Sequence, residues 1–529
     1  MSIKKQLQHI IKQNIDNSIN KEDINIEIPK NKEFGDYSTN IALKLKIDPE
    51  ELANKLKADI IDNVFVVKPG FINFIIKKEL FFNNLLTILK EKENYGKSNI
   101  GNNKKINIEF VSVNPTGLLH IGHARGATYG DNLTRILNFI GYDATSEYYI
   151  NDAGNQMNNL GISIKERYKE QCGLSYELND DCYKGKEIIE IAKNIYNEYN
   201  NSKLNESIEY FKEEGLNILL KKIKEDLERY RVTFSIWTSE QNLYNQGLVD
   251  DIIKQLRNKN EIYIKDEALW LKTTKYQDDQ DRVIIKSDGT YTYLLPDIAY
   301  HIHKIKRGYE ELIDVLGADH HGYIKRLKAA IEILGYNPNI LDIKILQMVR
   351  IIKDNKEIKL SKRTGKTITL NDLVDEVGVN ATRYFFSSRS IDSMMDFDMD
   401  LALKQSNDNP IFYIEYANAR ITSILRKVNK NNIHITTFNT LNSPYIHSII
   451  KKLYEFPNTV INAGTKKTPH LIATYVYELA NLFHTYYHEE LIITDNIEYT
   501  NERIVLLQAI KIVINNALDL IGIIPREEM

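Results

Sequence analysis

His120 and His123, with Gly122 between them, stand in "NPTGLLHIGHARG" (residues 114–126), directly after Asn114, Pro115, Thr116 and Gly117. On a helix, positions i and i+3 share one face. A metal site would need third and fourth ligands, and neither zinc-like spacing nor an HExxH run supplies them. A structural pair would put one ring in a cap and pack the other. A third arrangement sets both imidazoles and the unbonded amides of a helix start against phosphate oxygens, with Gly122 leaving room for a flat base. The strand-turn-helix setting favours this third arrangement.

A second cluster is basic. Lys353, Lys356, Lys359, Lys362, Arg363 and Lys366 fall within fourteen positions, with Gly365 as a hinge. Such a run alone is ordinarily a solvated loop. "GKT" here and "GKS" at 96–98 look like phosphate-loop endings, but neither has the glycine that a Walker A loop requires five positions earlier. Among acids, Glu109 lies in "INIEFVSV", where apolar and polar residues alternate. Facing inward it needs a partner; the plainer expectation is a strand end facing water.

The elements that must hold these residues read as α/β. "INIEFVSV" is a strand, "NPTG" a sharp turn, "HARGATYGDNLTRILNFIGY" a helix and "ATSEYYI" a second strand, the opening of a parallel sheet. Residues 155 to about 235 read as a charged helical insertion with little chemistry. Strand signals return in "RVIIKSDGTYTYLLPDIAYHIHKIKRG", "ELIDVLGADHHG" and "DIKILQMVRIIKD", where the parallel sheet is expected to resume. Before this region, residues 1–95 read as a small α+β unit with strands around Pro69-Gly70 and a closing helix that ends at Gly96. From 405 to 529 the pattern is all-helical. The expected fold is multidomain α/β, with boundaries 1–95, 96–404 and 405–529 and a Rossmann-type parallel sheet in the middle segment.

Bulk properties agree. At 529 residues the chain exceeds one ordinary core. Cys172 and Cys182 make no disulfide framework and no CxxC pair, which points to a reducing cytoplasm. The N-terminal helix is amphipathic rather than a signal peptide, and no apolar stretch suits a membrane span. A net charge of −3 does not announce a nucleic-acid binder, but clustered Lys and Arg still permit one.

"HIGH" after a strand and "KLSKR" about 240 residues later together resemble the two signatures of class I aminoacyl-tRNA synthetases. "EFVSVNPTGLLHIGHARGA", "GADHHGYIKRLKAA", "FYIEYANARI" and "NKEFGDYSTNIA" resemble the arginyl-tRNA synthetases in particular, across almost the whole chain. The absence of zinc-ligand cysteines and of a large editing insertion fits, because a pocket that reads arginine's charge needs no proofreading.

The resemblance implies that arginine is activated by Mg-ATP and transferred to arginine tRNA, with no structural metal and a monomeric enzyme. His120, Gly122 and His123, with Pro115, Thr116 and Gly117, would hold ATP, and Lys359, Ser361, Lys362 and Arg363 would close over its phosphates. Glu109, Asn114, Tyr293, Asp297 and His320 would bind arginine, which reverses the plainer reading of Glu109. Tyr293 and Asp297 stand one helical turn apart if that segment coils, although Asp297 after Pro296 also suits a helix N-cap. Transfer RNA would lie across both end domains. Phe34, Tyr37 and Asn40 would meet a loop of its elbow, and Tyr413, Tyr416, Arg420 and Arg426 would serve the helical anticodon-binding domain.

Overall fold

Pro69 and Gly70 turn "FVVKPGFINFII" back on itself, and the resulting hairpin takes on a third strand. The computed structural model describes residues 3–15, 19–29, 31–318, 322–358, 368–428, 435 and 437–529. Helices α1 (Ile3–Gln13), α2 (Ile41–Leu45), α3 (Pro49–Lys55) and α4 (Lys78–Glu91) accompany strands β1 (Tyr37–Thr39), β2 (Ile61–Val67) and β3 (Phe71–Ile76). The strands pair antiparallel in the order β1-β3-β2. Helix α3 begins where the Asp48 carboxylate accepts the amides of Glu50 and Glu51 at 2.8 and 3.1 Å, with Pro49 in the first turn.

The α/β region follows: β4 (Lys105–Glu109), α5 (Ile121–Phe139) and β5 (Asp143–Ile150), then the helical insertion α6 (Asn155–Gln171), α7 (Lys186–Tyr199) and α8 (Ile208–Arg229). Beyond it lie β6 (Ile236–Ser239), α9 (Glu240–Asn245) and α10 (Leu248–Asn258), then β7 (Ile262–Lys265), β8 (Ala268–Leu271) and β9 (Arg282–Ile285). Helix α11 (Leu294–Lys306), β10 (Glu311–Gly317), α12 (Tyr323–Ile333) and β11 (Leu341–Leu346) complete the parallel sheet, whose order is β11-β10-β4-β5-β6. The strand order reverses beside β4, so the carboxyl ends of β4 and β10 border the crevice where such sheets bind ligands.

The parallel sheet resumes at two of the three segments where sequence signals suggest it, as β10 and β11, but not at the first. Strand β9 belongs to a separate antiparallel sheet, β7-β8-β9, and the residues after it coil into α11. The fifth parallel strand is β6, four residues too short to show a period. Strand β4 also ends early, at Glu109, because Val111 and Ser112 adopt left-handed φ of 70° and 41° and leave the ladder. Phe110 remains buried against α5, where Gly130 admits it: a Cβ there would lie 2.1 Å from the ring.

Strands β12 (Val349–Lys353), β13 (Lys356–Glu357) and β14 (Met395–Asp398) form a third small sheet in the order β13-β12-β14, with helices α13 (Leu370–Val377), α14 (Val379–Ser387) and α15 (Met399–Leu403). Four long helices end the chain: α16 (Pro410–Lys427), α17 (Pro444–Thr465), α18 (His470–Glu489) and α19 (Ile497–Leu520). Two compact units result. One comprises Met1–Tyr95, Arg420–Asn458 and Asn481–Ile514, the other Gly96–Ala419, Thr459–Ala480 and Asn515–Met529. Among the described residues, no helix is long and apolar enough to cross a membrane.

Candidate active site

The histidine pair builds the start of α5. His120 is the N-cap, and its Nδ1 accepts the Gly122 amide at 3.1 Å; His123 answers by accepting the His120 amide at its own Nδ1, also at 3.1 Å. The rings stack with centroids 3.5 Å apart. An imidazole that accepts at Nδ1 carries its neutral-state proton at Nε2, so each ring presents an N–H donor on its other edge. One element of the structural pair, a capping histidine, is therefore real, and the reciprocal cap fixes both tautomers. Gly122 leaves the cap room: a Cβ there would lie 3.0 Å from His120 Cε1 and 3.1 Å from Nδ1, so the ring would have to give by a few tenths of an ångström.

The turn before the helix packs under the insertion. Asn114 donates to Gln156 Oε1 at 2.5 Å, from the first turn of α6, and Gly117 faces the Glu187 carboxylate of α7. Pro115 is buried and Thr116 partly so. The insertion therefore supplies a side chain to the site, contrary to the expectation of little chemistry there.

The segment "KLSKR", with Lys359, Ser361, Lys362 and Arg363, lies outside the described residues, as does His320. The chain on both sides of 359–367 is tied down. Before it, the Ile358 amide donates to Ile351 of β12 at 2.9 Å. After it, the Leu370 amide donates to the Leu119 carbonyl at 2.8 Å, and the Ile121 amide to the Ile368 carbonyl at 3.4 Å. Arg125 of α5 is buried and reaches the carbonyls of Gln347, Ser390 and Ser393 at 2.9, 2.7 and 2.8 Å, joining the histidine helix to the sheet that leads into the basic segment.

Acids gather at the carboxyl ends of the strands. Glu109 is buried and does not face water: Ser112 Oγ donates to it at 2.9 Å and Lys304 Nζ at 2.5 Å. In a sheet covered on both faces, the period-2 pattern does not separate inside from outside. Burial raises its carboxyl above the ordinary value against the pull of Lys304. Glu147 of β5 is also raised by burial, but Lys304, the Thr238 hydroxyl and Arg307 outweigh that and hold it low.

Asp297 lies in the first turn of α11, whose N-cap is Tyr293, so the N-cap reading of Asp297 fails. Its carboxylate accepts the Tyr323 hydroxyl, and burial raises its proton affinity. Tyr293, one turn before it, is 72 % exposed at the rim. Sequence reasoning missed Glu240, the first residue of α9, directly after β6. It is 7 % exposed, accepts the Tyr244 hydroxyl at 3.2 Å, and is pushed up to about 7 by burial and then by Asp297. Its only sequence signal was "TSE", a cap-like serine before an acid. Among the described residues, Glu109, Glu147 and Asp314 are paired with Lys304, His301 and Arg307, and no ion pair involves Asp297 or Glu240.

The residues expected to meet RNA divide. Phe34 and Asn40 are exposed, but Tyr37 is 4 % exposed, with both faces of β1 covered, and offers no ring face to a base; that expectation is corrected. In α16, Tyr413 and Tyr416 are partly buried against Tyr477 and Phe412. The Arg420 guanidinium lies 4.3 Å from the centre of the Tyr487 ring, and Arg426 is exposed in the last turn.

Comparison with known proteins gives three family matches: "tRNA synthetases class I (R), catalytic domain" over residues 84–422, "DALR anticodon binding domain" over 414–529 and "Arginyl tRNA synthetase N terminal domain" over 1–76. The chain is 43 % identical to the arginine–tRNA ligase of Bacillus subtilis over the full length of both. It is 45 % identical to arginine–tRNA ligase 1 of Halalkalibacterium halodurans over 95 % of this chain and 94 % of that one. The solved arginyl-tRNA synthetase of Thermus thermophilus shares the fold, with a TM-score of 0.79 at 19 % identity over the whole of both chains.

Proposed function

The chain belongs to the class I arginyl-tRNA synthetases, and from that premise we propose how its site does the work of an arginine–tRNA ligase. The arginine carboxylate attacks the α-phosphate of Mg-ATP, the bond to the pyrophosphate breaks, and arginyl-adenylate forms. The terminal ribose hydroxyl of arginine tRNA then attacks the arginyl carbonyl and releases AMP. No enzyme nucleophile is needed, so the rate comes from positioning and from donors aimed at developing charge.

The Nε2–H groups of His120 and His123 serve as those donors. Lys359 and Lys362, with Ser361 and Arg363, close on the pyrophosphate from the basic segment. Pro115, Thr116 and Gly117 shape the turn beside ATP, and Asn114 takes the amino-acid end of the substrate. The guanidinium enters among Asp297, Glu240 and Glu109, with Tyr293 at the rim, and His320 is assigned to arginine binding as well. Phe34, Asn40, Tyr413, Tyr416, Arg420 and Arg426 are assigned to tRNA, and the enzyme acts as a monomer in the cytoplasm.

One observation carries the arginine assignment: Asp297 and Glu240 are carboxyl groups raised by burial that join no ion pair among the described residues, at the sheet end that also holds the histidine-capped helix. A guanidinium supplies the missing charge, and arginine's planar fork suits paired carboxylates. The test is ATP–pyrophosphate exchange dependent on arginine, with and without arginine tRNA. Exchange with another amino acid, or none in either condition, rejects the assignment.

A further inference from the structure

Asp314 sits on β10 in register beside Glu109 of β4, and both are buried. Each Asp314 oxygen holds one cation: Oδ1 accepts Lys304 Nζ at 3.1 Å, and Oδ2 lies 2.7 Å from His301 Nε2. Each cation then reaches one residue of the arginine pocket. Lys304 Nζ donates to Glu109 Oε2 at 2.5 Å, and His301 Nδ1 lies 2.7 Å from the main-chain carbonyl of Asp297.

Glu109, His301 and Asp314 converge closely enough to suggest a metal site. The Lys304 ammonium, 0 % exposed, already bridges the two carboxylates of that trio. His301 faces an acceptor at each ring nitrogen, a carbonyl on one side and a carboxylate on the other, so both nitrogens carry protons and the ring is an imidazolium. Burial opposes charge on His301 and on Lys304, but Asp314 together with Glu109 outweighs it for His301, and Asp314 with Glu109 and Glu147 outweighs it for Lys304.

We propose that Asp314, acting through His301 and Lys304, is a positioning hub for the arginine pocket; the inference rests on the arginine assignment above. None of the three touches substrate. Lys304 and the Ser112 hydroxyl divide the two Glu109 oxygens between them and so fix the plane of that carboxylate. His301 holds the Asp297 peptide, and with it the first turn of α11. Without Asp314, Lys304 is left to Glu109 alone and His301 loses the carboxylate that keeps it charged. Both pocket carboxylates then shift from the geometry a planar guanidinium requires. The ATP side is held separately, by the His120–His123 cap.

The experiment is ATP–pyrophosphate exchange by the full-length enzyme in the presence of arginine tRNA, with arginine and ATP varied in turn. In Asp314→Asn, the KM for arginine rises at least about tenfold while the KM for ATP stays within about twofold. His301→Gln, which keeps an amide donor toward Asp314, gives a smaller rise of the same selectivity. Equal changes in both KM values, or an unchanged arginine KM in a variant that melts cooperatively, overturn the hub. If Asp314→Asn does not fold, His301→Gln and Lys304→Met are judged by the same two criteria. Wild-type exchange is the control: its absence with arginine strikes the functional assignment, whereas wild-type activity with non-selective variants strikes only the hub.

Discussion

The amide of Leu370 donates to the carbonyl of Leu119 at 2.8 Å, so the residue just before the histidine pair is bonded to the chain that leaves the basic segment. His120 and Thr369 form a β-bridge at the same place. The start of α5 and the chain that enters α13 therefore cannot shift independently without breaking these backbone bonds.

Thr369 tests this coupling. It is the N-cap of α13, its hydroxyl accepting the Asp372 amide at 3.0 Å while Asp372 accepts the Thr369 amide at 2.9 Å. Thr369→Val keeps the shape and removes the cap, at a cost of about 1 kcal/mol in stability. Slackening at this point acts on the phosphate side of the site. Steady-state kinetics are expected to show a higher KM for ATP with arginine KM unchanged. A change confined to arginine would contradict the coupling.

The tautomer argument separates the two duties of His120. His120→Asn retains an acceptor for the Gly122 amide but lacks the Nε2–H, so the melting temperature should hold. Adenylate formation should fall by about 2.7–4 kcal/mol of transition-state stabilisation, the size of one lost oxyanion-type donor. Gly122→Ala should differ, displacing the ring that a Cβ would approach to 3.0 Å and so weakening cap and donor together. Gly126→Ala, where the nearest contact would be 3.5 Å, is the tolerated control. Full activity in His120→Asn would assign that histidine to structure alone.

Much of this site was legible in the sequence, and the reasons are local. Pro115 and Gly117 mark the turn into the next helix, whose first residues must satisfy orphan amides, so turn and capped helix follow from neighbours in the chain, whereas the strand stops earlier, at Glu109, than they suggest. Glu109 was not legible from its own segment, because its partner Lys304 lies 195 positions away and alternation does not mark faces in a doubly covered strand. Glu240 follows a four-residue strand with no measurable period, and β9 carried the right composition into the wrong sheet. Tyr37 shows the same limit: an aromatic beside polar residues suits RNA stacking or a core strand equally well, and the tertiary covering of β1 decided it.

Asp297→Asn removes one charge from the guanidinium site without changing its volume. The cost is expected to fall on arginine, about 2–5 kcal/mol in kcat/KM, as for truncation of one partner in a buried charged pair. ATP binding, measured by equilibrium titration, should change little. An arginine saturation curve that matches the wild type would remove Asp297 from the pocket.

Glu240 gives the site a pH signature. Burial, with Asp297 beside it, pushes its carboxyl up to about 7 in the folded protein without arginine. Ionising such a group in the fold is unfavourable, so stability falls as pH rises from the ordinary carboxylate range toward 7. A guanidinium reverses the preference by favouring the ionised form. Below pH 7, arginine must therefore displace a proton as it binds, and its apparent KM should rise by about tenfold per pH unit. Above pH 7 the proton is already gone and the KM should level off. Glu240→Gln has no proton to release, so its arginine KM should be higher at neutral pH and flat between pH 5.5 and 7, while the ATP KM of both enzymes follows its own course. Parallel arginine profiles for wild type and Glu240→Gln would place the titrating group elsewhere.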